Sequence, residues 1–126
     1  MATPNLNRLL VIDDDAKITA LFTEFFGDLY EVETARNGVQ GLTAMLDRRP
    51  DLVLLDINMP GVSGLQVLRD IKNIDQRIPV IVVTGSNDIA AAEDALKNGA
   101  FAYLPKPFQF QYAAHLIAAA ISENPV

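Results

Sequence analysis

The segment Asp51-Leu52-Val53-Leu54-Leu55-Asp56 carries an apolar run onto a carboxylate, and Ile57-Asn58-Met59-Pro60-Gly61 follows at once. Two other apolar runs end on chemistry. Leu9-Leu10-Val11-Ile12 leads into Asp13-Asp14-Asp15, and Ile81-Val82-Val83 leads into Thr84-Gly85. If these runs are neighbouring buried strands, they deliver acids and a hydroxyl to one sheet edge, which is where open α/β sheets bind ligands. Carboxylates crowded together repel, and repulsion raises their pKa values. A small hard cation such as Mg²⁺ relieves that cost and also takes phosphate oxygens as ligands. Acids that hold Mg²⁺ beside a free carboxylate are equipped for phosphoryl transfer. Asp56 is then the candidate nucleophile, able to become an aspartyl phosphate. Asp13 and Asp14 are the candidate metal residues. Lys106 would supply a cation, and the Thr84 hydroxyl a hydrogen bond, to the phosphoryl oxygens.

Plainer roles account for other polar residues. Asp15 directly precedes a helical pattern and reads as its N-cap. Gly61 and Gly64 read as turn glycines, since neither a G-x-G-x-x-G nor a Walker pattern is present. His115 is the only histidine and lies in an apolar helix. With no cysteine and no second histidine, no zinc site can be assembled from those residue types.

The elements that must position these residues alternate along the chain. Apolar runs near 8–12, 52–57 and 80–84 predict buried strands. Tyr30-Glu31-Val32-Glu33-Thr34 alternates with period two and predicts a half-exposed edge strand. Ala102-Tyr103-Leu104 is a short fifth strand, stopped by Pro105, while Pro60 and Gly61 break the chain after the third. Between the strands, Ile18, Leu21, Phe22 and Phe25 mark the inner face of a first helix. Val39, Leu42 and Leu46 mark a second, and Leu65, Leu68 and Ile71 a third. Ile89, Ala92 and Leu96 mark a fourth, capped by Asn98-Gly99. The last runs from about Phe110 to Ser122. Five strands, each followed by a helix, predict an α/β fold with a parallel sheet covered on both faces.

Length and composition agree with one domain spanning residues 1–126. Half of the residues are hydrophobic (50%), enough for a packed core. No apolar stretch approaches the ~20 residues that span a bilayer. The segment Met1–Asn5 has no leader pattern, and the chain has no cysteine, so a cytoplasmic location is expected. The net charge of −6 disfavours direct nucleic-acid binding, which rests on neutralising phosphates.

Taken together, these residues resemble the receiver domain of two-component response regulators. Leu9-Leu10-Val11-Ile12-Asp13-Asp14 is similar to the family's first strand and acidic pair. Leu54-Leu55-Asp56-Ile57-Asn58-Met59-Pro60 is similar to its phosphoacceptor segment. Thr84-Gly85 matches its hydroxyl and the small residue after it. Tyr103-Leu104-Pro105-Lys106-Pro107-Phe108 matches its aromatic switch, lysine and following proline. The resemblance runs from about Arg8 to Ile121. It implies the flavodoxin-like five-stranded sheet of order 2-1-3-4-5 with five helices, and a Lys106–Pro107 bond in the cis form. It further implies a phosphoryl group taken from a histidine kinase's phosphohistidine onto Asp56 with Mg²⁺. The ligands would be Asp14, Asp56 and the Asn58 main-chain carbonyl, with Asp13 acting through water. Tyr103 would report the phosphorylated state. The implied partners are a sensor histidine kinase or phosphotransfer protein and a downstream output domain or partner protein. The implied role is a switch, not a turnover enzyme.

The last helix departs from a generic receiver. Gln109 to Ser122 carries no formal charge, although 21% of the chain is charged. Its pattern buries Phe110, Ala113, Ala114, Ile117 and Ile121 and leaves Tyr112, Leu116 and Ala119 outside. A protein contact there, including a homodimer through the last helix, is one expectation. Dimerisation through charged pairs on that helix is not. Two rival readings remain. A degenerate receiver would act only as a protein-binding module. A haloacid-dehalogenase-type phosphatase would use Asp13 as nucleophile and Asp15 as general acid, but Lys17 does not fit its first motif and Asp56 would have no role.

Overall fold

The computed structural model describes residues 6–59, 63–85 and 87–123. The element order is β1 (Arg8–Ile12), α1 (Ala16–Phe26), β2 (Glu31–Ala35), α2 (Gly38–Asp47), β3 (Leu52–Asp56), α3 (Gly64–Ile74), β4 (Val80–Gly85), α4 (Ile89–Lys97), β5 (Ala102–Lys106) and α5 (Phe110–Glu123). The strands form one parallel sheet of order β2-β1-β3-β4-β5, the flavodoxin-like arrangement that the resemblance implies. Pro60 and Gly61, the expected breakers, lie outside the described residues.

Alternation along each buried strand divides the core into two layers. Leu10, Ile12, Val53 and Leu55 face α2, α3 and α4, where Met45, Leu68 and Ile71 meet them. Leu9, Val11, Leu52 and Leu54 face α1 and α5, where Phe22, Phe26 and Ile117 meet them. Polar caps set the helix starts. The Asp15, Asn37, Ser63 and Asp88 side chains accept from backbone N–H groups in the first turns of α1 to α4. Gly64, read as a turn glycine, is the first residue of α3.

Three helix faces differ from the sequence reading. In α1 the buried residues are Phe22 and Phe26, whereas Leu21 and Phe25 are exposed. In α2 Val39 and Leu46 point to solvent and Met45 is fully buried. The cause is Gly41, where an added Cβ would lie 2.3 Å from the Ile12 side chain. Its missing side chain lets α2 approach β1 closely, so the helix faces the core with Gly41 and Met45, Leu42 packs partly buried beside them, and Val39 and Leu46 are left outside. In α4 Ala92 and Ala95 are buried while Ile89 and Leu96 are exposed. Small residues bring a helix nearer the sheet than large ones allow. The third helix follows the pattern, and Gly99 after α4 adopts φ 99°, as a C-cap glycine does.

Strand β5 continues through Pro105 to Lys106, with Thr84 opposite Pro105 and Gly85 opposite Lys106. A proline is tolerated there because β5 is an edge strand and one of its sides carries no ladder bonds. In α5 Ala113, Ile117 and Ala120 are buried. Leu116, expected outside, is partly buried against the core.

Candidate functional site

Strand register brings the acids together. Ile12 lies opposite Leu55, so Asp13 leaves β1 beside Asp56 at the end of β3. Carboxylate oxygens of Asp13, Asp14 and Asp56 all lie within 4.8 Å of one another. Asp13 and Asp56 are buried, at 2% and 4% exposure, and Asp14 is exposed. Backbone N–H groups hold the two buried carboxylates. Asp15 N donates to Asp13 Oδ1 at 2.9 Å, and Asn58 N donates to Asp56 Oδ1 at 3.0 Å. The other oxygen of each faces Lys106, whose Nζ is 3.4 Å from Asp56 Oδ2 and 3.8 Å from Asp13 Oδ2. Lys106 reaches them because β5 carries it to the same edge, two strands from Asp56.

The charges do not balance. Unit charges about 4 Å apart interact by about 4 kcal/mol at an effective dielectric near 20. One ammonium facing two of three carboxylates leaves the repulsion of Asp14 and the desolvation of the buried pair uncompensated. Asp13 records the result: its pKa is pushed up to about 6, first by burial and further by the Asp56 charge. The Asp15 N–H and the Lys106 charge pull the other way and do not cancel it. A divalent cation fits this donor set, which is all oxygen, preassembled and short of positive charge.

The remaining expected residues are placed as follows. Thr84 is buried on β4, one residue beyond Val83, which lies opposite Asp56. Asn58 is exposed just past Asp56. Tyr103 does not enter the cluster. It is 42% exposed on β5 and lines a groove of about 380 Å³ together with Leu96, Tyr112 and Leu116. His115 is exposed on α5. Asp15, the general acid of the phosphatase reading, caps α1 by accepting from Lys17 N. The Lys106–Pro107 bond is cis.

One feature beside the site escaped the sequence reading. Phe22, Phe108 and Phe110 form a closed aromatic triangle with centroids 5.2 to 5.8 Å apart. A signal was available: all six phenylalanines lie within residues 22–26 and 101–110. Such clustering of one large apolar type in two segments suggests that the segments meet.

Comparison with known proteins gives the same answer as the geometry. The family model of the response regulator receiver domain matches residues 9–118. The chain is 42% identical over 113 residues to the DNA-binding transcriptional regulator NtrC of Escherichia coli (strain K12), covering 89% of this chain and 24% of that protein. It therefore spans about a quarter of the length of such relatives. It is 36% identical over 102 residues to the sporulation initiation phosphotransferase F of Bacillus subtilis (strain 168), covering 80% of this chain and 82% of that one. A solved receiver domain protein from Clostridium thermocellum superposes with a TM-score of 0.88 at 37% identity, over 94% of this chain and 96% of that one. Among the described residues, no helix is long and apolar enough to cross a membrane. The chain belongs to the response regulator receiver domain family of two-component systems.

Proposed function

We propose that residues 1–126 form one receiver unit that switches state when Asp56 accepts a phosphoryl group. The observation that carries this reading is the buried Asp56 carboxylate, 3.4 Å from the Lys106 ammonium and clustered with Asp13 and Asp14. The donor is a phosphohistidine on a sensor histidine kinase or phosphotransfer protein. An Asp56 oxygen attacks phosphorus, the P–N bond breaks, and the histidine nitrogen leaves with the bonding pair. Asp14, Asp56 and the Asn58 carbonyl would hold Mg²⁺, with Asp13 acting through water. Bound there, Mg²⁺ supplies positive charge to the phosphoryl oxygens. Lys106 exchanges its contact with Asp56 for one with a phosphoryl oxygen, and Thr84 donates its hydroxyl proton to another. Tyr103, on the same strand as Lys106, reports the change at the groove beside α5. This is a local charge event that biases a two-state surface, so the chain acts as a switch and not as a turnover enzyme. The reading implies the cytoplasm as its compartment and an output domain or separate protein as its downstream partner. The groove face with exposed Tyr112 is the candidate contact, a homodimer included. Direct nucleic-acid binding by this chain is not part of the reading.

Acetyl phosphate and Mg²⁺ should place one acid-labile, hydroxylamine-sensitive phosphate on Asp56, mapped by mass spectrometry. Beryllofluoride with Mg²⁺ separates the rival readings: an adduct at Asp13 would indicate the phosphatase, and none at all the passive binding module.

A further inference from the structure

Lys106 sits at the end of an edge strand on a flexible four-carbon stem, yet its charge must meet phosphoryl oxygens at Asp56. On its amino side the backbone is held by the β4–β5 ladder and by buried Leu104. On its carboxyl side the first large apolar side chain is Phe108. That ring packs at 5.8 Å from Phe22 of α1 and at 5.4 Å from Phe110 of α5. Phe22 is itself 1% exposed and lies 5.2 Å from Phe110, so the triangle is closed. Helix α1 begins directly after the acidic run Asp13-Asp14-Asp15. The triangle thus joins the element that carries the acids to the segment that carries the lysine.

We infer that Phe108 is a positioning residue for phosphoryl transfer: clasped by Phe22 and Phe110, it fixes the lysine end of β5 at its working distance from Asp56. This inference rests on the phosphoacceptor reading above and adds to it a residue that touches none of the reacting atoms. Phe26 supplies the internal control. It belongs to the same aromatic cluster, is fully buried and stacks on Phe22 at 5.7 Å. Among the described ring contacts it has none with Phe108. A merely structural role would make both phenylalanines matter alike.

The test measures the rate of Asp56 phosphorylation by acetyl phosphate at saturating Mg²⁺, well below the melting temperature of each variant. Phe108→Ala should lower the rate on the order of tenfold to a hundredfold, the cost of a catalytic group displaced by about an ångström. Mg²⁺ affinity should stay unchanged, because the acids are not moved. Phe26→Leu should lose stability and keep the wild-type rate. If Phe108→Ala does not fold, Phe108→Leu, which keeps most of the volume, should show a smaller loss of rate in the same direction. In a Lys106→Ala background, Phe108→Ala should cost nothing further, because its effect passes through the lysine. The inference is overturned if Phe108 variants keep the wild-type rate, if Phe26→Leu slows transfer equally, or if Phe108→Ala retains its full effect without Lys106. A wild-type chain that takes no phosphate on Asp56 would overturn the phosphoacceptor reading itself, and this inference with it.

Discussion

The two ends of strand β1 treat charge in opposite ways. At its amino end Arg8 is surrounded by partners. Its Nη2 is 2.7 Å from Glu33 Oε1, its Nη1 donates to the Arg48 carbonyl at 2.9 Å, and its backbone N–H donates to Asp51 Oδ2 at 2.7 Å. Glu31 is shared between Arg8 and Arg48. Just past its carboxyl end, Asp13 is buried with two other carboxylates nearby and part of one ammonium. The amino end ties β1 to β2 and to the turn before β3, and its charges are paired within the fold. The carboxyl end leaves negative charge unanswered, which is a state that a cation and a phosphoryl group can change. The same kind of substitution should therefore have opposite signs at the two ends: removing a charge should loosen one and relax the other.

The largest effect should come from the carboxyl end. Asp56→Asn keeps the side chain's shape and removes its nucleophilic oxygen, so labelling by acetyl phosphate should vanish completely. Full labelling of that variant would reassign the acceptor. Next in size is the metal. Asp13→Ala should weaken Mg²⁺ binding by on the order of tenfold to a hundredfold, as losses of outer ligands do. Asp14→Ala should weaken it more, because a direct ligand contributes more than one acting through water. Titration calorimetry decides the order, and undiminished binding in the double variant would exclude these acids as the site.

The carboxyl end was legible in the sequence and the amino end was not. Asp13, Asp56 and Thr84 each follow three or four consecutive apolar residues, so their positions come from strand pattern alone. Lys106 follows a shorter and weaker strand pattern, so its place at the same edge was readable from position while its role was firm only together with the resemblance. Arg8 gave no signal, because its partners lie 23 to 43 residues away and only the folded sheet gathers them. The helix faces of α2 and α4 failed for a related reason. A hydrophobic pattern assumes that the largest apolar side chains are buried, whereas here Gly41 and the alanines Ala92 and Ala95 set the approach. In α1 the face is Phe22 and Phe26, which differs from the reading by a small rotation about the helix axis.

The reversal of sign can be read from pH. The folded pKa of Asp13 is about 6 against an ordinary value of 3.8, so the metal-free fold binds this proton more tightly than the unfolded chain does. Its contribution is therefore most favourable below the ordinary value and is lost as pH rises toward 6. Relative to Asp13→Asn, which cannot titrate, the metal-free wild type should lose on the order of 2 kcal/mol between pH 4 and pH 7, from about 1.4 kcal/mol for each tenfold difference in proton affinity between folded and unfolded chains. The proton belongs in part to the pair with Asp56, so the transition should be broad. Urea unfolding in EDTA across that range measures it. Saturating Mg²⁺ should flatten the difference, since the metal stands in for the proton. Parallel pH curves for the two proteins would mean that Asp13 is not strained.

The smallest effect should come from the amino end, and its sign is the sharper point. Arg8→Met keeps a long apolar stem and removes the charge. Glu33 and Glu31 are about half exposed, at 42% and 48%, so water can replace much of what Arg8 gives them. The Arg8 Nε is buried with no hydrogen-bond acceptor among the described residues, a cost that methionine removes. Against these stand the lost bonds to Glu33 and to the Arg48 carbonyl. Hydrogen bonds to charged groups contribute about 1.5–3 kcal/mol when shielded and less when their partners are wet, so a net loss of about 1 kcal/mol is expected. Arg8→Ala should lose more, because it also empties the space of the stem. Neither variant should change Asp56 labelling or Mg²⁺ affinity, since the sheet transmits no charge along β1. Denaturant midpoints together with the acetyl phosphate assay test both halves. A stabilised Arg8→Met would show that the amino end, too, holds its charges at a cost, and the contrast between the two ends would then be one of partners and not of energy.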